Sequence, residues 1–301
     1  MTLLPAPTNR RLGPDGPEVA PLAWGMWRFA GRSRDEAARL VHVALGAGIN
    51  LLDTADIYGF DGAGGFGDAE ALLGEVLAAE PGLRGRMVLA TKGGIRPPLP
   101  YDQSAAYLAE AIDASLRRLK TERIDLWQIH RPDILSHPQE VAAALDKAVA
   151  AGKVGQIGVS NFTQLQTAAL GAFVGQPLAT TQPEIGPLRI DAFENGALDQ
   201  AMVLGLVPLA WSPLGGGRLA NPETPREHAV AAALDAVAAE AGVSRTVAAY
   251  SWLMAHPAGI IPIVGSQQPA RIAEAATSLT MRWSREQWYA VFTAARGEKL
   301  P

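Results

Sequence analysis

Four side chains that could move a proton lie at the ends of apolar segments of the sequence. Asp53 and Tyr58 stand in "LLDTADIYG", directly after an apolar run. Lys92 ends "VLATK" and His130 ends "LWQIH". A phenol has a pKa near about 10 and is a weak acid at neutral pH, but an ammonium group beside it favours the phenolate and burial tunes the result. With Asp53 keeping Lys92 charged, we interpret Tyr58 as a proton donor to a carbonyl oxygen, and His130 as a second hydrogen-bond donor to that oxygen.

These positions form one site only if the surrounding elements bring them together. Eight short apolar segments, each followed by an amphipathic stretch rich in Ala and Leu, run through the chain. Segments that are apolar on both faces are typical of parallel strands covered by helices, and eight such units predict a (β/α)8 barrel, in which the carboxyl ends of the strands share one face. The predicted strands are 19–24, 49–55, 87–92, 124–130, 156–161, 178–185, 207–213 and 260–266, and two surplus helices are predicted at 244–257 and 284–295.

The composition predicts a soluble protein with one domain spanning 1–301, because no linker interrupts the repeat of strands and helices. A net charge of −4 without runs of like charge argues against nucleic-acid and membrane partners. The sequence "MTLLPAPTNRR" lacks the pattern of a signal peptide, so we expect a cytoplasmic location. The absence of cysteine excludes disulfides, thiol catalysis and cysteine-based zinc sites, and no metal site is predicted.

The strand ends also carry motifs that resemble those of the aldo-keto reductase family. "DTADIYG", "ATKGG", "QIHRPD", "GVSNF", "AWSPLGGG" and "IPIVGS" with "RIAEA" each resemble a family motif, in the family's order and spacing. The resemblance covers nearly the whole chain and is strongest to the bacterial, non-steroid branch. It implies a barrel enzyme that reduces aldehydes or ketones with NADP(H). The implied catalytic tetrad is Asp53, Tyr58, Lys92 and His130.

The resemblance further implies how a nicotinamide dinucleotide would be held. Ser160 and Asn161, helped by Gln182, are expected to bind the carboxamide. Trp211 offers a flat face for the nicotinamide ring, in a position where many family members have Tyr. The glycines that follow allow backbone to approach a pyrophosphate, and Arg218 could supply positive charge there.

The last strand–helix unit carries the predicted determinants of cofactor choice. Ser266 and Arg271 are candidates for the 2′-phosphate of NADP, since arginine binds phosphate through two hydrogen bonds and a helix N-terminus attracts phosphate. Glu274 is the candidate for the adenine amine. Gln267 and Ala275 depart from the family pattern, so NAD(H) use stays possible. The full predicted cofactor set is Gly25, Met26, Trp27, Asp53, Ser160, Asn161, Gln182, Trp211, Ser212, Pro213, Leu214, Gly215, Gly217, Arg218, Val264, Gly265, Ser266, Gln267, Arg271, Glu274 and Ala275.

The predicted substrate is a small carbonyl compound, which the loop sequences do not identify further. The same residues would serve the reverse reaction, as in an aldose or alcohol dehydrogenase. We expect a monomer or weak homo-oligomer. The residues predicted to line the substrate pocket are Trp27, Tyr58, Phe60, Phe66 and His130.

Three other interpretations remain open from the sequence. "GAGGFG" at 62–67 matches G-x-G-x-x-G, but a Rossmann fold requires that motif directly after a strand, so a mobile loop beside Tyr58 is preferred. Lys92 could instead be the nucleophile of a Schiff-base aldolase, with Tyr58 as its proton shuttle. That interpretation leaves Trp211 without a role. Some family members are cofactor-binding subunits of membrane channels, but this chain shows no extension that suggests such a partner.

Overall fold

The predicted barrel is confirmed by a computed structural model, which describes residues 3–300. Of the predicted domain 1–301, residues 1, 2 and 301 lie outside the described part. Eight parallel strands pair in chain order, and the last pairs with the first to close the barrel. A short antiparallel hairpin, β1 (Arg10–Arg11) and β2 (Glu18–Val19), precedes the barrel strands β3 (Ala23–Gly25), β4 (Leu51–Asp53), β5 (Val88–Gly93), β6 (Ile124–Ile129), β7 (Val154–Ser160), β8 (Thr180–Gln182), β9 (Val207–Ala210) and β10 (Ile261–Val264).

Helices surround the barrel, and the two predicted surplus helices are present as α9 (Arg245–Met254) and α11 (Arg285–Arg296). The segment 191–205 contains two helices, because Gly196 between them adopts a left-handed φ of 84°, and Asn195 Oδ1 accepts a hydrogen bond from the backbone N–H of Ala197 at the start of the second. Within residues 3–300, no helix is long and apolar enough to cross a membrane. The helices are α1 (Arg34–Gly46), α2 (Asp68–Ala79), α3 (Ala105–Leu119), α4 (Pro138–Ala150), α5 (Gln164–Gly171), α6 (Asp191–Glu194), α7 (Ala197–Leu204), α8 (Pro225–Ala241), α9 (Arg245–Met254), α10 (Pro269–Ala275) and α11 (Arg285–Arg296).

The hairpin β1–β2, which the sequence pattern does not indicate, closes the amino-terminal end of the barrel. Leu12 and Val19 are fully buried and join the apolar cluster inside the barrel, which includes Leu51 at the start of β4. The turn depends on glycine, since Gly13 has a left-handed φ of 73° and a Cβ on Gly16 would lie 1.7 Å from the carbonyl oxygen of Leu12. Val19 therefore belongs to the hairpin, and the first barrel strand starts later than predicted.

The interior of the barrel changes from apolar to polar along the strands. Successive side chains of a strand point to opposite faces, so Leu51 and Asp53 point inward while Leu52 packs outward against the helices. On the next strand Val88 and Ala90 point inward below Lys92. Because the apolar residues fill the amino-terminal part, the polar residues of the strand ends meet at the carboxyl-terminal mouth, where barrel active sites lie.

Candidate active site

Asp53 and Lys92 form a buried ion pair at the mouth of the barrel. Asp53 is the last residue of β4 and Lys92 the second-last residue of the neighbouring strand β5, and Lys92 Nζ donates to Asp53 Oδ2 at 2.8 Å. Lys92 Nζ also donates to the carbonyl oxygen of Thr54 at 2.7 Å, and Gln182 Nε2 donates to Asp53 Oδ1 at 3.0 Å. Buried charges need such partners, because burial without them is costly. Both charged groups are therefore fixed in place.

Tyr58 lies over this ion pair, with Lys92 Nζ 5.0 Å from the centroid of its ring. Burial lowers the pKa of Lys92, but the Asp53 carboxylate and Tyr58 more than offset this, so the pKa lies above its usual value. Burial raises the pKa of Tyr58, and the charge of Lys92 opposes it without overcoming it. The ammonium group acts in the predicted direction, but burial outweighs it. Tyr58 is thus held as a proton-bearing phenol beside a permanent cation.

His130 contacts Tyr58 from the end of β6. The two ring centroids are 5.8 Å apart in an edge-on arrangement. Burial, followed by the charges of Lys92 and Arg131, holds the pKa of His130 well below its usual value. Its Nδ1 is buried without a hydrogen-bond partner among residues 3–300. His130 is therefore a neutral imidazole, which can donate one hydrogen bond. Asp53, Tyr58, Lys92 and His130 are called the proton-transfer cluster below.

The aromatic residues predicted to line the substrate pocket separate into two groups. The Trp27 ring meets Tyr58 edge-on at 5.3 Å and is 66% exposed. Phe60 and Phe66 instead pack on each other, with ring centroids 6.2 Å apart. The structure thus brings Trp27 and His130 to Tyr58, whereas the two phenylalanines lie in the loop that follows.

That loop, 59–67, folds as a tight turn. Asp61 Oδ1 accepts hydrogen bonds from the backbone N–H groups of Ala63 and Gly64, both at 2.9 Å. A Cβ on Gly59, which has a φ of 107°, would lie 2.7 Å from the carbonyl oxygen of Gly65. The loop leads directly into α2, and no strand lies directly before its glycine motif, since β4 ends at Asp53. The closed barrel therefore excludes the Rossmann interpretation.

Arg131 adds a positive charge to the mouth and was not identified from the sequence. Its Cζ lies 5.7 Å from the centroid of the Trp211 ring. Arg131 forms no salt bridge with a carboxylate among residues 3–300. Its position directly after His130 was the available signal, since residues just beyond a strand end face the mouth. Arg131 can therefore offer its hydrogen-bond donors to a ligand.

Asp56 is the second acid of "DTAD" and lies outside the proton-transfer cluster. It is 1% exposed, and neither carboxyl oxygen has a partner in the described part of the chain. Burial and then the nearby Glu70 raise the pKa of Asp56 well above its usual value. Glu70 itself is paired with Arg118, whose Nε donates to Glu70 Oε2 at 2.7 Å. Burial behind the site thus favours the protonated form of the Asp56 carboxyl group.

The four residues predicted to contact nicotinamide form one hydrogen-bonded network. Trp211 Nε1 donates to Asn161 Oδ1 at 2.9 Å. Asn161 Nδ2 donates to Ser160 Oγ at 2.8 Å and to the carbonyl oxygen of His130 at 3.2 Å. Ser160 Oγ donates to the carbonyl oxygen of Gln182 at 2.9 Å. The network connects the ends of four barrel strands.

The glycine-rich segment after Trp211 is a turn of left-handed residues. Gly215, Gly216 and Gly217 have φ values of 61°, 69° and 103°. Arg218 Nη1 pairs with Glu227 Oε1 at 3.1 Å, and Arg218 Nε donates to the carbonyl oxygen of Gly215 at 3.0 Å. The charge that was predicted to serve a pyrophosphate is therefore already compensated by Glu227.

Arg271 is exposed on α10 and pairs with no carboxylate among residues 3–300. Ser266, at the end of the last barrel strand, is partly exposed, and Glu274 lies one turn beyond Arg271. α10 has seven residues, so any charge offered to a phosphate must come chiefly from the arginine. Asn161, Trp211, the 215–217 turn, Ser266 and Arg271 are called the cofactor surface below.

The other residues that were predicted to bind the cofactor differ in how far their side chains are buried and in which hydrogen-bonding groups they leave free. Gln267 Nε2 donates to the carbonyl oxygen of Gly25 at 2.9 Å, and its Oε1 is buried without a partner among residues 3–300. Gly265 is exposed at the end of β10. Met26, Val264 and Ala275 are buried, so their side chains are directed into the protein. Ser212, Pro213 and Leu214 connect Trp211 to the glycine turn.

The cofactor surface fits a nicotinamide dinucleotide. Trp211 is partly exposed and supplies an aromatic face, Asn161 Oδ1 retains a free acceptor site, and Arg271 is an uncompensated cation. No atom lies within 4 Å of where a Cβ on Gly216 or Gly217 would stand, so backbone is open to a ligand there. An aromatic ring with an amide, joined to phosphates, matches these groups.

The sequence and the fold are similar to those of known proteins. The model of the aldo/keto reductase family matches residues 21–294. A 6-dehydroglucose reductase of Novosphingobium aromaticivorans is 73% identical over 297 residues, with 98% of each chain covered. A 6-dehydroglucose reductase of Agrobacterium fabrum is 37% identical, covering 94% of this chain and 96% of the relative. The crystal structure of an aldo/keto reductase from Klebsiella pneumoniae with NADP and acetate superimposes with a TM-score of 0.80 at 24% identity, covering 94% of this chain and 93% of that one.

Proposed function

The chain belongs to the aldo/keto reductase family, and from this premise we propose that it is an NADP(H)-dependent enzyme that reduces the C6 aldehyde of 6-dehydroglucose to the primary alcohol. The observation that carries the chemistry is the partly exposed phenol of Tyr58 beside the buried Lys92–Asp53 pair. The substrate rests on the relative that is 73% identical over nearly the whole of both chains.

Tyr58 is the proposed proton donor. Burial keeps its proton on at neutral pH, while the cation of Lys92 stabilises the phenolate that remains after transfer. Asp53 holds Lys92 in position and keeps it charged. Transfer of one proton to the carbonyl oxygen completes the alcohol, and solvent then reprotonates Tyr58.

His130 is the proposed second donor to the same oxygen. As a neutral imidazole it can carry its hydrogen on Nε2, because Nδ1 is buried without a partner in the described chain. A donor aimed at the carbonyl oxygen polarises the C=O bond and fixes the carbonyl near Tyr58.

The cofactor surface is proposed to bind NADPH, which supplies the hydride for the carbonyl carbon. Asn161 and Trp211 would hold the nicotinamide end, and Ser266 with Arg271 the 2′-phosphate. Arg218 contributes less than predicted, since Glu227 compensates its charge. A dinucleotide without the 2′-phosphate would leave Arg271 unpaired, so NADPH is preferred over NADH.

Two groups at the mouth suit a sugar rather than a simple aldehyde. The exposed face of Trp27 can cover the apolar C–H groups of a sugar ring. Arg131, with no carboxylate partner among residues 3–300, offers several donors to ring hydroxyls. Trp27 lies beside Tyr58 and Arg131 lies beside Trp211, so both are close to the place proposed for the carbonyl carbon of the substrate.

The direct test is NADPH oxidation with 6-dehydroglucose, followed by identification of glucose as the product. We expect kcat/KM for this sugar to exceed that for a short aliphatic aldehyde, and Arg131→Met to remove most of the difference. Equal kcat/KM values would contradict the sugar assignment while leaving carbonyl reduction intact. Absence of turnover with every aldehyde would contradict the reductase itself.

The burial and the hydrogen bonds of Lys92 argue against a Schiff-base aldolase. A nucleophilic lysine requires a free amine that can reach the substrate. Lys92 is fully buried, donates to Asp53 and to Thr54, and has a raised pKa. These contacts hold it as an ammonium ion behind Tyr58.

A further inference from the structure

We propose that Trp211 is a positioning residue for Asn161, whose amide it orients so that the oxygen is presented to the nicotinamide carboxamide. This inference rests on the proposed cofactor. It gives Trp211 a role beyond that of a flat surface under the nicotinamide ring. The carrying observation is the hydrogen bond from Trp211 Nε1 to Asn161 Oδ1, at 2.9 Å.

The orientation of the Asn161 amide follows from the chemistry of its neighbours. An indole N–H is a donor only, so the Asn161 atom that faces it must be the oxygen. The amide nitrogen then faces Ser160 Oγ and the carbonyl oxygen of His130, both of which accept. All three contacts agree on one orientation, and the opposite orientation would place two donors against each other at Trp211.

This orientation determines what Asn161 can offer a ligand. Both N–H bonds of its amide are used within the protein, whereas Oδ1 accepts one hydrogen bond and has capacity for a second. The backbone holds the residue in a left-handed conformation, with a φ of 60°. Asn161 can therefore accept from an N–H group of a carboxamide but cannot donate to its carbonyl oxygen.

A different aromatic residue at position 211 would lose this control. A phenyl or phenol ring keeps a flat face for stacking but has no N–H at the same place. The Asn161 amide could then turn over, which would also break its bond to the carbonyl oxygen of His130. The indole N–H thus preserves the amide orientation in which Asn161, on the cofactor surface, donates to the carbonyl oxygen of His130 in the proton-transfer cluster.

The test is a double-mutant cycle on cofactor binding, with Trp211→Phe, Asn161→Ala and the double variant. Dissociation constants are measured by calorimetry for NADPH and for 2′-phospho-ADP-ribose, which lacks nicotinamide. Each single variant should weaken NADPH binding about three- to tenfold, the range of one neutral hydrogen bond. The double variant should bind NADPH about as weakly as the weaker single variant, because both substitutions remove the same interaction. All four proteins should bind 2′-phospho-ADP-ribose equally.

Single effects that multiply in the double variant would overturn the proposal, because Trp211 would then act through its ring alone. Failure of the native chain to bind NADPH would instead overturn the proposed cofactor. The side-chain amide signals of Asn161 in the NMR spectrum of the free chain test the orientation without any ligand. Trp211→Tyr, which preserves ring size better, should accelerate hydrogen exchange at these signals, and unchanged exchange would contradict the proposal.

Discussion

The proton-transfer cluster and the cofactor surface differ in how complete they are without a ligand. Three members of the cluster, Asp53, Lys92 and His130, are buried, and its central ion pair makes further hydrogen bonds to neighbouring protein groups. On the cofactor surface, Arg271 is exposed without a counter-ion among residues 3–300 and the glycine turn is open. The same barrel mouth thus holds one part built by the chain alone and another that a ligand completes.

This difference follows from what each part must do. A phenol becomes a useful proton donor only if a cation is fixed beside it, and fixing a cation requires burial and a counter-ion. A surface for a dissociable cofactor must leave charges and hydrogen-bond groups unused until the ligand binds. Substitutions in the cluster should therefore affect folding and chemistry, whereas substitutions on the surface should affect cofactor binding.

The largest effect is expected from Lys92→Met. Removing one partner of a buried ion pair leaves the other charge buried without a counter-ion, so the free energy of unfolding should fall by about 3–5 kcal/mol. Chemical denaturation measures this, with Lys147→Met on the exposed face of α4 as the control. The double variant Asp53→Asn/Lys92→Met should recover much of the stability but none of the turnover. Recovery of both would show that the pair is structural only.

A smaller effect, confined to binding, is expected from Arg271→Ala. Loss of an arginine that contacts the 2′-phosphate should weaken NADPH about tenfold and leave NADH unchanged. Arg218→Ala is the matched comparison, because Glu227 already compensates its charge. It should weaken both cofactors to the same small extent. Equal weakening of NADPH by the two variants would remove Arg271 from its proposed role.

The smallest effect concerns Asp56, the buried acid that lacks partners. Its native pKa is raised, so the folded state holds the proton that the unfolded state has released. The contribution of Asp56 to the free energy of unfolding is therefore greatest below the unfolded pKa of about 4. It is lost as the pH rises from there towards the native pKa. Asp56→Asn cannot ionise, so its stability should decline less between pH 5 and pH 8 than that of the native chain. Parallel stability curves would mean that Asp56 is ionised in the native protein.

The fold was predictable because its evidence is repeated along the chain. Eight apolar segments of similar length give the same pattern, so an error at one strand does not change the architecture. The hairpin β1–β2 was not predicted, since two-residue strands such as Arg10–Arg11 are too short for a periodic pattern. Only the tertiary contact of Leu12 and Val19 with the barrel interior identifies it.

The site residues were predictable where an ionisable side chain lies at the end of a strand. Asp53, Lys92 and His130 each lie within one residue of the end of a strand, so their convergence follows from the barrel. The pairing of Arg218 with Glu227 was not predictable, because it depends on how the glycine turn meets the first turn of α8. The balance of burial and charge at Tyr58 likewise requires three-dimensional surroundings, which spacing in sequence does not provide.

The central claim is that the proton-transfer cluster and the cofactor surface have separate roles, and the variant Tyr58→Phe tests it most directly. Its dissociation constants for NADPH and NADH are measured by titration, and its turnover is measured alongside. Loss of the proton donor should lower kcat about 100-fold or more. The dissociation constant for NADPH should match that of the native chain, and NADH should bind more weakly to both proteins. Loss of NADPH affinity in parallel with turnover would contradict the account, since the phenol would then belong to the cofactor surface.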